Sequence, residues 1–152
     1  MAVRAYGDKL VWLSTLIQRR YAQICAEHDL TPAQATLLCA VKDGPQRMGD
    51  LAASLGITKN ALSQLVDRTE QRGLVRRESP EADRRVIALF VTGTGKGLAE
   101  AVYADVTRRM PEIADGLDED DQRHLERVAT MIVDASGGPA QSGSVPYERA
   151  GA

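Results

Sequence analysis

The stretch RMGDLAASLGITKNALSQLVDRTEQRGLV, residues 47–75, constrains this chain more than any other. Gly56 falls where a helix closes on a left-handed residue. Thr58, two positions on, is a strong N-cap. The stretch therefore divides into a short helix over about 49–55 and a second from 58 to about 72, stopped by Gly73. Two helices joined by so short a turn form a helix-turn-helix. On the second helix, Leu62, Leu65, Val66 and Thr69 make an inward stripe. Asn60, Ser63, Gln64, Asp67 and Gln71 recur on the other side, with Lys59 near its N-terminal end.

A polar helix face alone decides little, because every surface helix has one. The next segment of the chain strengthens the case. Residues 74–78 and 86–91 read as two strands around the loop ESPEADRR, which ends in an arginine pair. A helix fits the major groove of DNA, where base edges offer partners for Asn, Gln, Ser and Lys. Recognition helices bring their N-terminal residues to those edges. A hairpin directly behind such a helix can carry an arginine to the neighbouring minor groove, whose negative potential attracts guanidinium. On this reading Arg84 enters the groove and Arg85 contacts phosphate or supports the loop. Asp83 orients an arginine or caps the turn. The competing reading is a solvated hairpin with an incidental Arg-Arg pair.

Bulk charge is silent on nucleic acid: the net charge is −2 and the pI about 5.7. Local charge is uneven. Residues 59–85 carry seven basic and five acidic side chains, whereas residues 112–134 carry eight acidic and two basic. The acidic stretch would repel DNA and is expected to sit away from it.

Both flanks of the central unit read as helical. Residues 8–28 carry Leu10, Leu13, Ile17 and Ile24 on one stripe, with Leu16 and Tyr21 beside it. Thr31 and Pro32 start a second helix, stopped at residues 43–45. Thr92 caps a helix over about 94–110, despite Gly93, Gly95 and Gly97, and Pro111 interrupts it. Residues 118–135 form the last helix, with Leu125, Val128, Ala129 and Ile132 inward and Asp118 to Asp121 at the end the helix dipole favours for anions. A small central core cannot bury both outer stripes, but pairing across a two-fold axis would. Residues 136–152, rich in Gly, Pro, Ser and Ala, read as a flexible tail.

Three segments together, LTPAQATLLCAV, MGDLAASLGITKNALSQLVDRTEQRGLVRR and SPEADRRVIALFVTGTG, resemble the MarR family of winged helix-turn-helix regulators. The resemblance covers about residues 30–100. It implies a mainly α fold of about six helices with a two- or three-stranded β-wing. It also implies a homodimer intertwined through N- and C-terminal helices. Residues 31–94 would form the DNA-binding domain, and residues 1–30 and 95–135 the dimerisation region. It implies a regulator, usually a repressor, on a pseudo-palindromic operator in double-stranded DNA, relieved by a small ligand or by oxidation. Carried onto this sequence, the recognition contacts fall on Thr58, Lys59, Asn60, Ser63 and Gln64. Arg68 is a phosphate candidate, and Arg84 is the wing contact. Two departures stand out: Ser79 where many members have aspartate, and Gln64 where many have arginine. Gln64 favours adenine over guanine and so alters the sequence read.

Three further readings remain in view. Trp12, Tyr21 and Cys25 are candidates for a pocket that takes a small phenolic or aromatic effector. Cys25 is also the candidate for a thiol-based sensor, against the plainer reading of Cys25 and Cys39 as small buried hydrophobes. A winged fold can also serve protein partners without DNA. An enzyme is not expected: the sequence offers no nucleophile–base pair, and GTGKG at residues 93–97 lacks the P-loop spacing. No cofactor and no metal are expected, since His28 and His124 have no partners at ligand spacing. A signal-peptide pattern and an apolar run long enough for a bilayer are both missing, so a soluble cytoplasmic protein without membrane contact is expected.

Overall fold

The computed structural model describes residues 2–79 and 85–137. The first helix, α1, runs Ala2–Glu27 and so begins before the predicted residue 8. No proline stands in its first turns, and the cost of Gly7, about 1 kcal/mol, does not break a helix this long. It ends where Asp29 turns to φ 55, a left-handed conformation that aspartate tolerates better than most residues. Helix α2, Pro32–Val41, opens with a reciprocal cap: Gln34 N donates to Thr31 Oγ1 and Thr31 N donates to Gln34 Oε1, both at 3.1 Å.

A two-residue strand, β1 (Gln46–Arg47), leads into α3, Met48–Leu55. Gly56 closes α3 with φ 65, in the left-handed region. Helix α4, Lys59–Gln71, begins at the Thr58 cap, whose Oγ1 accepts from Ala61 N at 3.0 Å. Strands β2 (Val75–Glu78) and β3 (Ala88–Val91) pair antiparallel, with Val75 opposite Val91 and Arg77 opposite Leu89. The sheet order is β1-β3-β2. Two residues carry no readable periodicity, so nothing in the local pattern marks β1; it exists because β3 offers it a free edge. Strand β3 starts two residues later than predicted. The Ile87 carbonyl instead accepts from Met48 N at 3.0 Å, tying the hairpin to the start of α3.

Helix α5, Gly93–Arg109, starts under Thr92, which also donates to the Gly73 carbonyl at 2.6 Å. Gly95 is required here: a Cβ would fall 1.9 Å from the Leu74 carbonyl oxygen. The end of α4 and the start of α5 are thus pressed together through backbone. Pro111 lies in a 3-10 turn, Met110–Ala114, so the α-helix stops as expected. Helix α6, Glu119–Ala135, comes last, with Asp118 as its N-cap. The tail read over residues 136–152 lies, from residue 138, outside the described residues.

The core sits between α2, α3, α4, the sheet and α5. Leu37, Leu38, Leu51, Leu62, Val66 and Leu89 are fully buried. Each such side chain stabilises the fold by about 1.5–3 kcal/mol relative to exposure. The outer helices differ. On α1 only the C-terminal part of the stripe is covered: Ile24 is buried and Leu13 half-buried, whereas Leu10, Leu16 and Ile17 are exposed. On α6 no residue is buried, and Leu125, Val128 and Ile132 face solvent within the chain. An ionic joint closes the core where α1 meets α5. Asp105 Oδ2 lies 3.0 Å from His28 Nε2 and 3.1 Å from Arg109 Nη1, and Arg109 also pairs with Glu27. Among the described residues, no helix is long and apolar enough to cross a membrane.

Candidate nucleic-acid interface

The tight turn at Gly56 and the Thr58 cap aim the first turn of α4 outward. Lys59, Asn60, Gln64 and Arg68 are exposed, and Ser63 is half-buried. The opposite face locks the helix in place through Leu62, Leu65, Val66 and Thr69. Thr69 satisfies its buried hydroxyl by donating to the Leu65 carbonyl at 2.7 Å. At the far end Arg72 donates to the Asp29 carbonyl at 2.6 Å and to Gln34 Oε1 at 3.2 Å, which fixes α4 to the start of α2. A helix held at both ends presents its polar residues with little freedom to lose on binding.

The predicted residues do not all behave alike. Thr58 is engaged as a cap, so its oxygen is shared with the backbone. Asp67, read from the sequence as part of the polar face, is paired: Arg77 Nη2 lies 2.7 Å from its Oδ1. Arg85 is exposed and lines a groove together with Arg47, Lys59 and the acidic Asp50, the rest of the lining being Met48, Gly49, Leu62, Val86 and Ile87. Arg84 and Asp83 lie outside the described residues.

Two arginines at this face escaped the sequence reading. Arg77 donates to Glu70 Oε2 at 2.8 Å and to the Ser63 carbonyl at 3.1 Å, besides Asp67. Arg47 joins the groove through β1. A signal existed for the first. Arg77 lies two residues beyond Val75 and so shares its face of β2, toward α4, where Asp67 and Glu70 supply carboxylates. Arg76 points the other way, over the Phe90 ring at 5.3 Å.

The three candidate pocket residues differ in their surroundings within the chain. Cys25 is fully buried, Tyr21 is half-buried and bonded to Thr36 Oγ1 at 3.3 Å, and Trp12 is 63% exposed. Trp12 and Tyr21 are nine positions apart on the helix, roughly 14 Å along the axis. Burial pushes the Cys25 and Cys39 thiols up, away from the reactive thiolate. Among the described residues no cluster could hold a metal ion.

A helix-turn-helix joined at once to an antiparallel hairpin defines the class: this is a winged helix-turn-helix protein. Known proteins narrow it. The MarR family model matches residues 28–86. The transcriptional repressor MdtR of Bacillus subtilis is 26% identical over 121 residues, covering 79% of this chain and 78% of that protein. A mutant MarR from E. coli complexed with operator DNA superposes with a TM-score of 0.70 at 21% identity, covering 87% of this chain and 96% of the other. NadR in complex with 4-hydroxyphenylacetate gives a TM-score of 0.62 at 23% identity, covering 82% and 89%. Over its helix-turn-helix segment the chain is thus similar to the MarR family.

Proposed function

We propose that this chain is a transcriptional regulator of the MarR family that binds a pseudo-palindromic operator in double-stranded DNA as a homodimer and represses transcription until a small ligand releases it. The observation that carries the reading is the first turn of α4. Lys59, Asn60 and Gln64 stand exposed on a helix anchored at both ends, with Arg47 and Arg85 alongside. Lys59 and Arg68 suit phosphate, and Asn60, Ser63 and Gln64 suit base edges. Arg84 is the wing contact and Arg85 its support, with Asp83 orienting them. Residues 31–94 act as the DNA-binding domain.

The homodimer rests on the bare apolar faces of α1 and α6, within the regions 1–30 and 95–135. Isologous pairing would bury both and set two α4 helices about one DNA turn apart. Repression is drawn from MdtR, and a phenolic effector from NadR. Such an effector would lie between protomers, where Trp12 is exposed, since the chain alone leaves Trp12 and Tyr21 apart. A thiol sensor at Cys25 is disfavoured by its burial.

Fluorescence anisotropy tests this, using the intergenic DNA beside the gene, a random duplex and a salt series. Selective binding that weakens steeply with salt is expected. Arg84→Ala should cost about 1–3 kcal/mol of affinity. Equal weak binding to both duplexes would favour a winged fold used for protein partners. An unchanged Arg84→Ala would remove the wing from the interface.

A further inference from the structure

We infer that Arg77 is a positioning residue for DNA reading: from β2 it orients Ser63 and occupies the Asp67 and Glu70 carboxylates of α4 without touching DNA itself. The inference rests on the DNA-binding reading proposed above.

The geometry is that of a clamp. Ser63, Asp67 and Glu70 are spaced four and three residues apart and so line one flank of α4. One guanidinium meets all three. Nη1 donates to Glu70 Oε2 at 2.8 Å, and Nη2 reaches Asp67 Oδ1 at 2.7 Å. Nη2 also donates to the Ser63 carbonyl at 3.1 Å and to Ser63 Oγ at 3.3 Å. The planar fork of arginine makes three hydrogen bonds and an ion pair this way, a geometry an ammonium does not reproduce. The Arg77 side chain is only 25% exposed.

This clamp bears on recognition in two ways. A serine hydroxyl has one proton and two lone pairs. With an Arg77 N–H directed at Oγ, the serine oxygen acts as acceptor toward the wing. Its own proton is left for the DNA side. Ser63 is then set to donate to an acceptor there, such as a phosphate oxygen, guanine N7 or O6, or thymine O4, with one lone pair already taken by Arg77. Secondly, Asp67 is 56% exposed on a helix meant for a polyanion. Paired with Arg77, it repels phosphate less and stays turned toward the wing. Ion pairs this exposed contribute little to folding, so the expected effect falls on recognition.

The test is Arg77→Lys, which keeps the charge and loses the fork. Operator and random-duplex affinities are measured by anisotropy across salt for wild type, Arg77→Lys, Ser63→Ala and the double variant, with thermal melting as the folding control. Arg77→Met, compared in the same way, covers the case in which the lysine variant does not fold. Arg77→Lys should lower the operator-to-random ratio about tenfold, the scale of one lost base contact, with an unchanged salt slope. The double variant should lose no more than Ser63→Ala alone, because the two act as one unit. Two results would overturn the inference while leaving the DNA reading intact: selectivity fully retained in Arg77→Lys, or additive losses in the double variant. A wild type that does not discriminate between the duplexes sinks the DNA reading, and this inference with it.

Discussion

Helices α4 and α6 are both amphipathic, yet they end up in opposite situations. Helix α4 buries Leu62, Leu65, Val66 and Thr69 within the chain, whereas α6 buries nothing over its 17 residues. The difference is one of neighbours. Helix α4 is enclosed by α2, α3 and β2, held by Arg72 and Arg77 and capped by Thr58. Helix α6 leaves the core after the 3-10 turn and projects Val128, Met131 and Ile132 at 43%, 59% and 62% exposure. Exposed apolar faces of that extent mark an interaction site. The protein thus has a helix-turn-helix unit packed within the chain and a second unit whose apolar face stays bare within it.

The strongest way to break this comparison is to charge the bare face. Val128→Asp with Ile132→Asp should convert the proposed dimer to a folded monomer by sedimentation and cut operator affinity at least about a hundredfold, the range over which linked sites gain from one another. A variant that still sediments as a dimer would exclude α6 as the contact. Next in size is the core. Leu37→Ala should cost about 2–5 kcal/mol in urea unfolding. The same truncation at Leu125, measured on the charged monomer, should cost far less, because that side chain has little to lose there. Equal costs would mean that α6 packs on its own chain in solution.

The cap gives a smaller effect. Thr58→Ala should cost about 1 kcal/mol and speed hydrogen exchange at the Ala61 amide, with α6 unaffected. The smallest effect concerns the ionic joint between α1 and α5. Hydrogen bonding from His28 holds the Asp105 carboxyl below its usual range, and Arg109 does the same for Glu27. A carboxyl that is more acidic when folded stabilises the protein above its unfolded pKa, roughly 4. That contribution fades as pH falls through the folded value. Asp105→Asn should therefore flatten the loss of urea midpoint between neutral pH and pH 3; an unchanged acid limb would take the joint out of the acid response.

Much of this architecture was legible in local chemistry. Gly56, Thr58, Thr31, Thr92 and Asp118 announce helix ends because a left-handed residue or a capping oxygen acts within three or four positions of itself. The stripe of α4 was readable because helical periodicity is a property of neighbouring residues. Strand β1 was not, since its pairing with Leu89 and Ala88 joins segments some forty residues apart. The polar face of α4 was half legible: Lys59, Asn60 and Gln64 are exposed, but Asp67 is paired with an arginine from another element.

By itself the sequence determined where helices begin and end, which faces are apolar and that a basic hairpin comes directly after a helix-turn-helix. Each of those features arises from backbone preference and spacing along one segment. Only the tertiary structure decided that Arg77 rather than solvent meets Asp67 and Glu70, that Gly95 must lie against the Leu74 carbonyl, and that α6 finds no cover within its own chain. These are contacts between distant segments, set by how packed elements meet and not by the residues adjacent to either partner.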